Sequence, residues 1–464
     1  MNRILRLLAS SASRGCALAA SALLAPPLFA AEFSILPDGS GDYPTIQAAV
    51  DAAQPLDVII LEDGLFTGPG NRDIRFDGKD VVVRSRNGAA SCTIDTEGSS
   101  ADPHRAFRLD GGETAASRIE GITITGGFVK GVFPESGGGG ILVAYGSHPT
   151  ITHCVFDANE AGVEGFGAGL LAWEDCDITL TDCVFVNGVS GWYGGGFVLR
   201  KFCDATVERV VVDNCYAQHG GGGVSITNSN PTVTDCVFSN NWVDEAGGGG
   251  MLVKAAAQPV FTRCVFAGNR AWTGPGIGTG NDPIVTVVDC LFEGNHSFGV
   301  AGAAVAVEAG TIMTITRCTF AQNGSNQPAQ HLMVSLAECT VRNSIFFGGC
   351  AGTFPIYLYS SGVLDIDCSL IEGGPAGFGG SGTLVYGAGN VDADPMFCEL
   401  APCGSDPWPV GDYRVAADSP VVDLPGCGIV GAFPVGCSVT SAGATLESRT
   451  WSSVKGLYRG GSAR

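Results

Sequence analysis

The sequence predicts an all-β fold, a parallel solenoid, and three observations predict it. Between residues 150 and 344 one phrase recurs eight times at a spacing of 26 to 29 residues: TITHCVFDAN, TLTDCVFVN, TVERVVVDN, TVTDCVFSNN, VFTRCVFAGN, TVVDCLFEGN, TITRCTFAQN and TVRNSIFFGG. Glycine runs stand between most neighbouring copies, at 137–140, 194–196, 220–223 and 247–250. Of 464 residues, 45% are hydrophobic and 15% charged, and the 69 glycines show no three-residue period, which excludes collagen. A unit of this length buries its apolar side only by stacking on the next copy.

The first element is a leader. Residues 1–31 carry Arg3, Arg6 and Arg14 and no acid, then the apolar stretch Ala17 to Ala30 and the small residues Ala30 and Ala31, the order of a secretory signal peptide. Cleavage there takes the formal charge from −21 to −24 and leaves seventeen of eighteen cysteines in a pathway where disulfides form. A secreted or cell-surface location follows, and no other apolar run is long enough to span a bilayer. So acidic a chain is a poor purely electrostatic partner for nucleic acid or an anionic polysaccharide.

The domain itself runs from 32 to 437. Its opening, DGSGDYPTIQAAVDAA, places Pro44 near a helix N-terminus and Ile46, Ala49, Val50 and Ala53 on one face, a lid for the first coil. In the coils, the column three residues before the Cys is apolar (Ile151, Leu180, Val207, Val233, Phe261, Val287, Ile315, Val341). The column two residues after it is Phe156, Phe185, Val212, Phe238, Phe266, Phe292, Phe320 and Phe346. Columns an odd five residues apart cannot both face inward along one strand, so a corner must lie between them. The residue before the Cys alternates in sign as Asp182, Arg209, Asp235, Arg263, Asp289 and Arg317, after His153. Stacked in register, such a column forms an outward ladder of attraction that specifies register.

Each phrase closes on Asn159, Asn187, Asn214, Asn241, Asn269, Asn295 or Asn323, read as one left-handed turn column with laddered amides. The glycines then lead into a further strand, as in GGFVLR and GGMLVK, so one coil is expected to hold about three strands and three turns.

Residues 33–437 resemble the secreted right-handed parallel β-helix proteins of the pectin-lyase-like superfamily. The resemblance rests on DGSGDYPTIQAAVDAA, the GGGI-type turns paired with CVFxxN phrases, and the closing DADPMF, GDYRVAADSPVVD and CGIVGAFPVGC. The Gly-Gly and Phe-x-x-Asn pairing is also similar to that of polymorphic outer-membrane proteins, which are surface adhesins. The first resemblance implies acidic polysaccharide substrates, clustered Asp, Arg or Lys on one face, and often calcium. The catalytic segments of pectin methylesterases, polygalacturonases and Arg-x-Pro-x-x-Arg lyases are absent, as is a GGxGxD calcium repeat. No cofactor or metal is therefore expected, with calcium left as an implication of the resemblance.

Two groups are candidates for function. Asp177 and Asp204 occupy the same column on successive coils, with Lys201 nearby, and carboxylates one rung apart raise one pKa or hold a cation. The alternative for them is a polar turn ladder. The loops between each Asn and its glycines carry Phe166, Trp192, Tyr193, Tyr216, Trp242, Trp272 and Phe298, with Glu164, His219, Asp244 and Glu245 among them. Aligned rings of this kind suit sugar faces, or else they cover the helix flank.

The Cys column reads as small buried thiols without a metal. Cys176 with Cys203 is a candidate inter-coil disulfide, and Cys398 with Cys403 and Cys427 with Cys437 are candidate staples of the closing segment. Residues 438–464 form a Ser/Thr/Ala linker and a short amphipathic tail, TWSSVKGLYR. Three functions fit: non-catalytic binding of a polysaccharide or cell-surface glycan, a polysaccharide lyase or glycoside hydrolase with a nonstandard site, and a structural envelope protein.

Overall fold

The computed structural model describes residues 30–299, 302–404 and 411–437. The leader and the 438–464 tail fall outside this range apart from Ala30 and Ala31. The chain is a right-handed parallel β-helix. Its described strands stack into sheets of 14, 12, 8 and 12 strands, and a three-stranded sheet closes the end. One coil visits the four long sheets in order: Thr150–Thr152, Val155–Asp157, Glu160–Ala161 and Leu170–Trp173. The sequence expectation of about three strands missed the third sheet, because a two-residue strand is too short to show a period.

The expected corner between the first two strands is real. The residue before each Cys is left-handed, with φ of 53° at Asp182, 53° at Arg209, 54° at Asp235 and 52° at Arg263. One such residue turns the strand and restores the inward face, so Ile151, Cys154 and Phe156 are all buried. The turn also aims the next N–H inward, where no strand can receive it, and a buried unpaired amide is costly. The thiol of the following coil accepts it: Cys154 N–H donates to Cys183 Sγ at 3.4 Å and Cys264 N–H to Cys290 Sγ at 3.3 Å. Where the column changes to serine, Cys318 N–H donates to Ser344 Oγ at 3.1 Å.

The asparagines are two columns, not one. The left-handed residues are Asn187, Asn214 and Asn240, φ 52° to 56°, the first two exposed and the third half-buried. Asn159, Asn241, Asn269, Asn295 and Asn323 stand one residue later and are fully buried. Each takes the inward N–H of the coil before it, as in Asn269 N–H to Asn295 Oδ1 at 3.2 Å. Each also donates to a carbonyl there, as in Asn295 Nδ2 to Phe266 O at 2.8 Å. The two columns merged in the sequence because Gly188 and Cys215 replace the buried Asn in two coils.

Beside this ladder the phenylalanines stack almost parallel, with Phe266 and Phe292 centroids 4.9 Å apart at 3° and Phe292 and Phe320 4.6 Å apart at 5°. Outside, the charge ladder resolves into two-point pairs: Arg209 with Asp182, Arg263 with Asp235, and Arg317 with Asp289, each with a nitrogen within 2.7 Å. Arg209 holds the Asp182 carboxyl below its usual range.

Both ends are closed. The opening helix Ile46–Ala52 is capped by Thr45 Oγ1 and buries Ile46, Ala49 and Val50, as expected. At the far end residues 391–404 and 411–437 fold back along the outside of the second sheet, where Val415, Val421, Leu424 and Val430 cover Ile345 and Leu370.

Three disulfides hold this segment: Cys350–Cys403, Cys368–Cys427 and Cys398–Cys437. None of the three expected pairs forms. Cys398, Cys403, Cys427 and Cys437 are all bonded, but Cys403 and Cys427 reach sideways to coils rather than to near neighbours in the chain. Cys176 and Cys203 are buried free thiols, each donating to a carbonyl of its own coil, Trp173 O and Arg200 O, at 3.2 Å.

Under the folded-back segment, Glu293 is fully buried and accepts from Tyr413 Oη at 2.8 Å and Gly411 N–H at 3.1 Å. Burial pushes its carboxyl from 4.5 up to about 7. The folded state therefore binds the extra proton, so this contact's stabilisation is complete below pH 4.5 and is lost as the pH rises through about 7. Amide exchange over residues 411–415 should be faster at pH 8 than at pH 5 after correction for the intrinsic rate, and Glu293→Gln should remove the difference. In denaturant melts, Asn295→Ala should cost about 2–3 kcal/mol by orphaning buried amides, whereas Arg263→Ala should cost less than about 1 kcal/mol.

Candidate functional site

The outer face of the fourth sheet collects the groups that the scaffold does not use. In its strands the first and third residues point in and the second and fourth point out. The register Trp173, Arg200, Thr227, Lys254 therefore sets one outward column, and Leu171, Val198, Ser225, Leu252 the other. Phe166 and Tyr193, at the end of the loops from the third sheet, bridge to each other along the same edge. A hollow of about 200 Å³ lies there, lined by Phe166, Tyr193, Val198, Arg200, Ser225, Thr227, Lys254 and Asn281.

Arg200 is half-buried among rings, its guanidinium carbon 5.1 Å from the Phe166 centroid, 5.3 Å from Phe133 and 5.5 Å from Trp173. Burial lowers its pKa from the ordinary value. Lys254 Nζ lies 5.6 Å from the Tyr193 ring. Among the described residues neither cation makes an ion pair or a side-chain hydrogen bond, whereas neighbouring Lys201 pairs with Glu174 at 2.6 Å. Two rungs separate Arg200 from Lys254, about 10 Å along the axis.

A second hollow of about 280 Å³ lies on the same face toward the N-terminal end, lined by Asp73, Arg75, His104, Arg105, Arg108, Lys130 and Glu135. His104 sits between carboxylates, Nδ1 2.6 Å from Asp73 and Nε2 3.1 Å from Asp102. Arg105 is buried and donates to Gly137 O and Glu135 O.

The expected aromatic row is divided. Phe166, Trp192 and Tyr193 pack together at the edge of the fourth sheet, with Phe166 5% exposed. Tyr216 and Trp242 form a separate pair on the outside of the third sheet, centroids 4.2 Å apart, and Trp272 and Phe298 another at 6.0 Å. The loop acids are partly engaged: Asp244 accepts from Tyr216 Oη at 2.8 Å and Glu245 lies 3.1 Å from His219. Glu164 stays exposed in its loop. The rings divide because they stand at different offsets from the Cys column: Tyr216 and Trp242 fall in the short third-sheet strands, whereas Trp192 and Tyr193 lie beyond theirs, which is Val189–Ser190.

Asp177 and Asp204 are exposed and spent on turns. Asp204 N–H donates to Asp177 Oδ1 at 3.0 Å, and Asn230 N–H to Asp204 Oδ1 at 2.7 Å. Lys201 points to Glu174 and Trp173 instead, so the three do not converge. Among the described residues no three His, Cys, Asp or Glu side chains are grouped to hold a metal.

Sequence reasoning missed Phe133, Trp173, Arg200, Lys254 and the His104 pocket. The signal for Arg200 and Lys254 was present as the last residue of GGFVLR and GGMLVK, an outward position by two-residue alternation.

A family model described as a right handed beta helix region matches residues 168–371. A crystal structure of the pectate lyase Pel9A is similar at 13% identity and a TM-score of 0.42, covering 87% of this chain and 96% of its own. ORF18 of Geobacillus virus E2 is similar at 12% identity and a TM-score of 0.23, covering 77% of this chain and 60% of its own. No match was found among curated proteins.

Asp204→Asn should shift stability by less than about 1 kcal/mol, since asparagine still accepts the turn amide. Denaturant melts of the pair of proteins check this.

Proposed function

We propose that the protein is an extracellular carbohydrate-binding β-helix that holds a carboxylate-bearing polysaccharide along the outer face of the fourth sheet. The observation that carries this is the pair of unpaired cations, Arg200 and Lys254, over the Phe166 and Tyr193 rings in a chain of net charge −21. With 46 acids against 25 bases, a free Lys or Arg has many possible partners. Two that have none among the described residues, and whose heads lie over rings beside Ser225, Thr227 and Asn281, are arranged for an outside anion. The half-buried Tyr193 ring offers a stacking surface for a sugar face, and the hydroxyls and amide supply hydrogen bonds. Three disulfides suit an oxidising compartment.

Cleavage of the same polymer is a second reading, favoured by one observation. His104 is oriented by Asp73 within a pocket of four further cations, an arrangement able to move a proton beside an anionic sugar.

Affinity electrophoresis in a polyuronate gel against a neutral-polysaccharide gel separates the possibilities. Retardation in the polyuronate gel alone is expected, and Arg200→Gln with Lys254→Gln should weaken binding about tenfold or more. New reducing ends or unsaturated product, lost in His104→Gln, would replace binding by cleavage. No retardation in either gel would leave a structural role.

A further inference from the structure

The loop that leaves the third sheet varies in length from coil to coil and is longest in the coil of Val129, where it runs over residues 130–136. It runs over 162–165 in the next coil, and in the coil of Ala271 is Trp272 alone. The longest one does not hang free. It lies on the outer face of the fourth sheet between the two hollows. Phe133 packs edge-on at 4.4 Å from Trp173 and 4.8 Å from Phe166, beneath Arg200. Glu135 sends both carboxylate oxygens to Arg108 Nη1, at 2.6 and 2.7 Å, and one to Arg105 at 3.4 Å.

A chain bound along this face meets the loop head-on. We infer that residues 131–135 are a displaceable strap, an internal competitor whose Phe133 ring and Glu135 carboxylate stand where a bound uronic acid would place its sugar face and its carboxylate. The inference rests on the proposed carbohydrate binding and adds its regulation.

The exchange is like for like. Arg108 trades one carboxylate for another, and Trp173 and Phe166 trade one apolar face for another. The strap can lift without breaking sheet bonds: its amide bonds are local, Glu135 N–H to Val132 O at 2.9 Å and Gly137 N–H to Pro134 O at 3.0 Å, and the bond it must release to the rest of the fold is Arg105 Nη2 to Glu135 O at 2.8 Å. Gly131, at φ 121°, forms a hinge at its start, and Val132 at its tip is 85% exposed. Lifting it would join the hollows into one groove from Arg108 to Lys254, five rungs or about 24 Å long.

The test titrates the full chain and its Glu135→Gln and Phe133→Ala variants, each checked for folding by circular dichroism, with a polyuronate ten sugars long and one three sugars long. Removing the competitor should strengthen binding of the long chain about tenfold, because a closed state reduces apparent affinity by its population, and should leave the short one unchanged. Amide exchange over 131–135 should accelerate when the long chain binds.

Weaker long-chain binding in both variants, or slower exchange on binding, would make the strap part of the site and overturn the inference. Unchanged affinity in both variants, with Arg200→Gln still weakening binding, would overturn the strap alone. No binding by any form would remove the functional reading and the strap together.

Discussion

The rest of the molecule depends on one constraint: each corner of the coil turns through left-handed residues, and every inward-facing amide this creates must find an acceptor. At the first corner the acceptor is a thiol or hydroxyl of the next coil, at the second a buried Asn. At the third, Ser229 takes Cys203 N–H at 3.0 Å, while Asp177 and Asp204 take the exposed amides beside it. These bonds run between coils, so each coil is correct only when its neighbour is in register. The Phe stack and the Arg–Asp pairs are consequences of that register.

A scaffold satisfied in this way needs nothing from its outer faces, which are left free to differ. The first sheet spends its edge on charge pairs, and the second is covered toward the C-terminal end by the closing segment and its disulfides. The fourth sheet departs from the repeat. It carries Trp173, Arg200 and Lys254 at equivalent positions, has the longest described loop laid across it, and leaves two cations without acids among the described residues of an acidic chain.

What was legible in the sequence follows from the same distinction. The corner, the inward Cys and Phe columns, the alternating charges and the capping helix were readable because each is periodic and local. The Asn column was misread by one residue, since a left-handed Asn and a buried Asn look alike in a string. The disulfides were misassigned because Cys350 and Cys368 belong to coils, and only the path of the closing segment brings Cys403 and Cys427 to them. The aromatic row failed because Trp242 stands inside a third-sheet strand and Trp192 just beyond one, a difference of a few residues that places them on different faces.

The sequence by itself determined the solenoid, because a stacked coil repeats the same short-range physics every 26 to 29 residues and so writes it many times into the chain. Only the tertiary structure decided which loop lies over which sheet, that Glu135 meets Arg108 and Phe133 meets Trp173, and that Arg200 and Lys254 stand alone. Those contacts occur once each and have no period. They are set by where the chain passes in space, which no spacing in the sequence records.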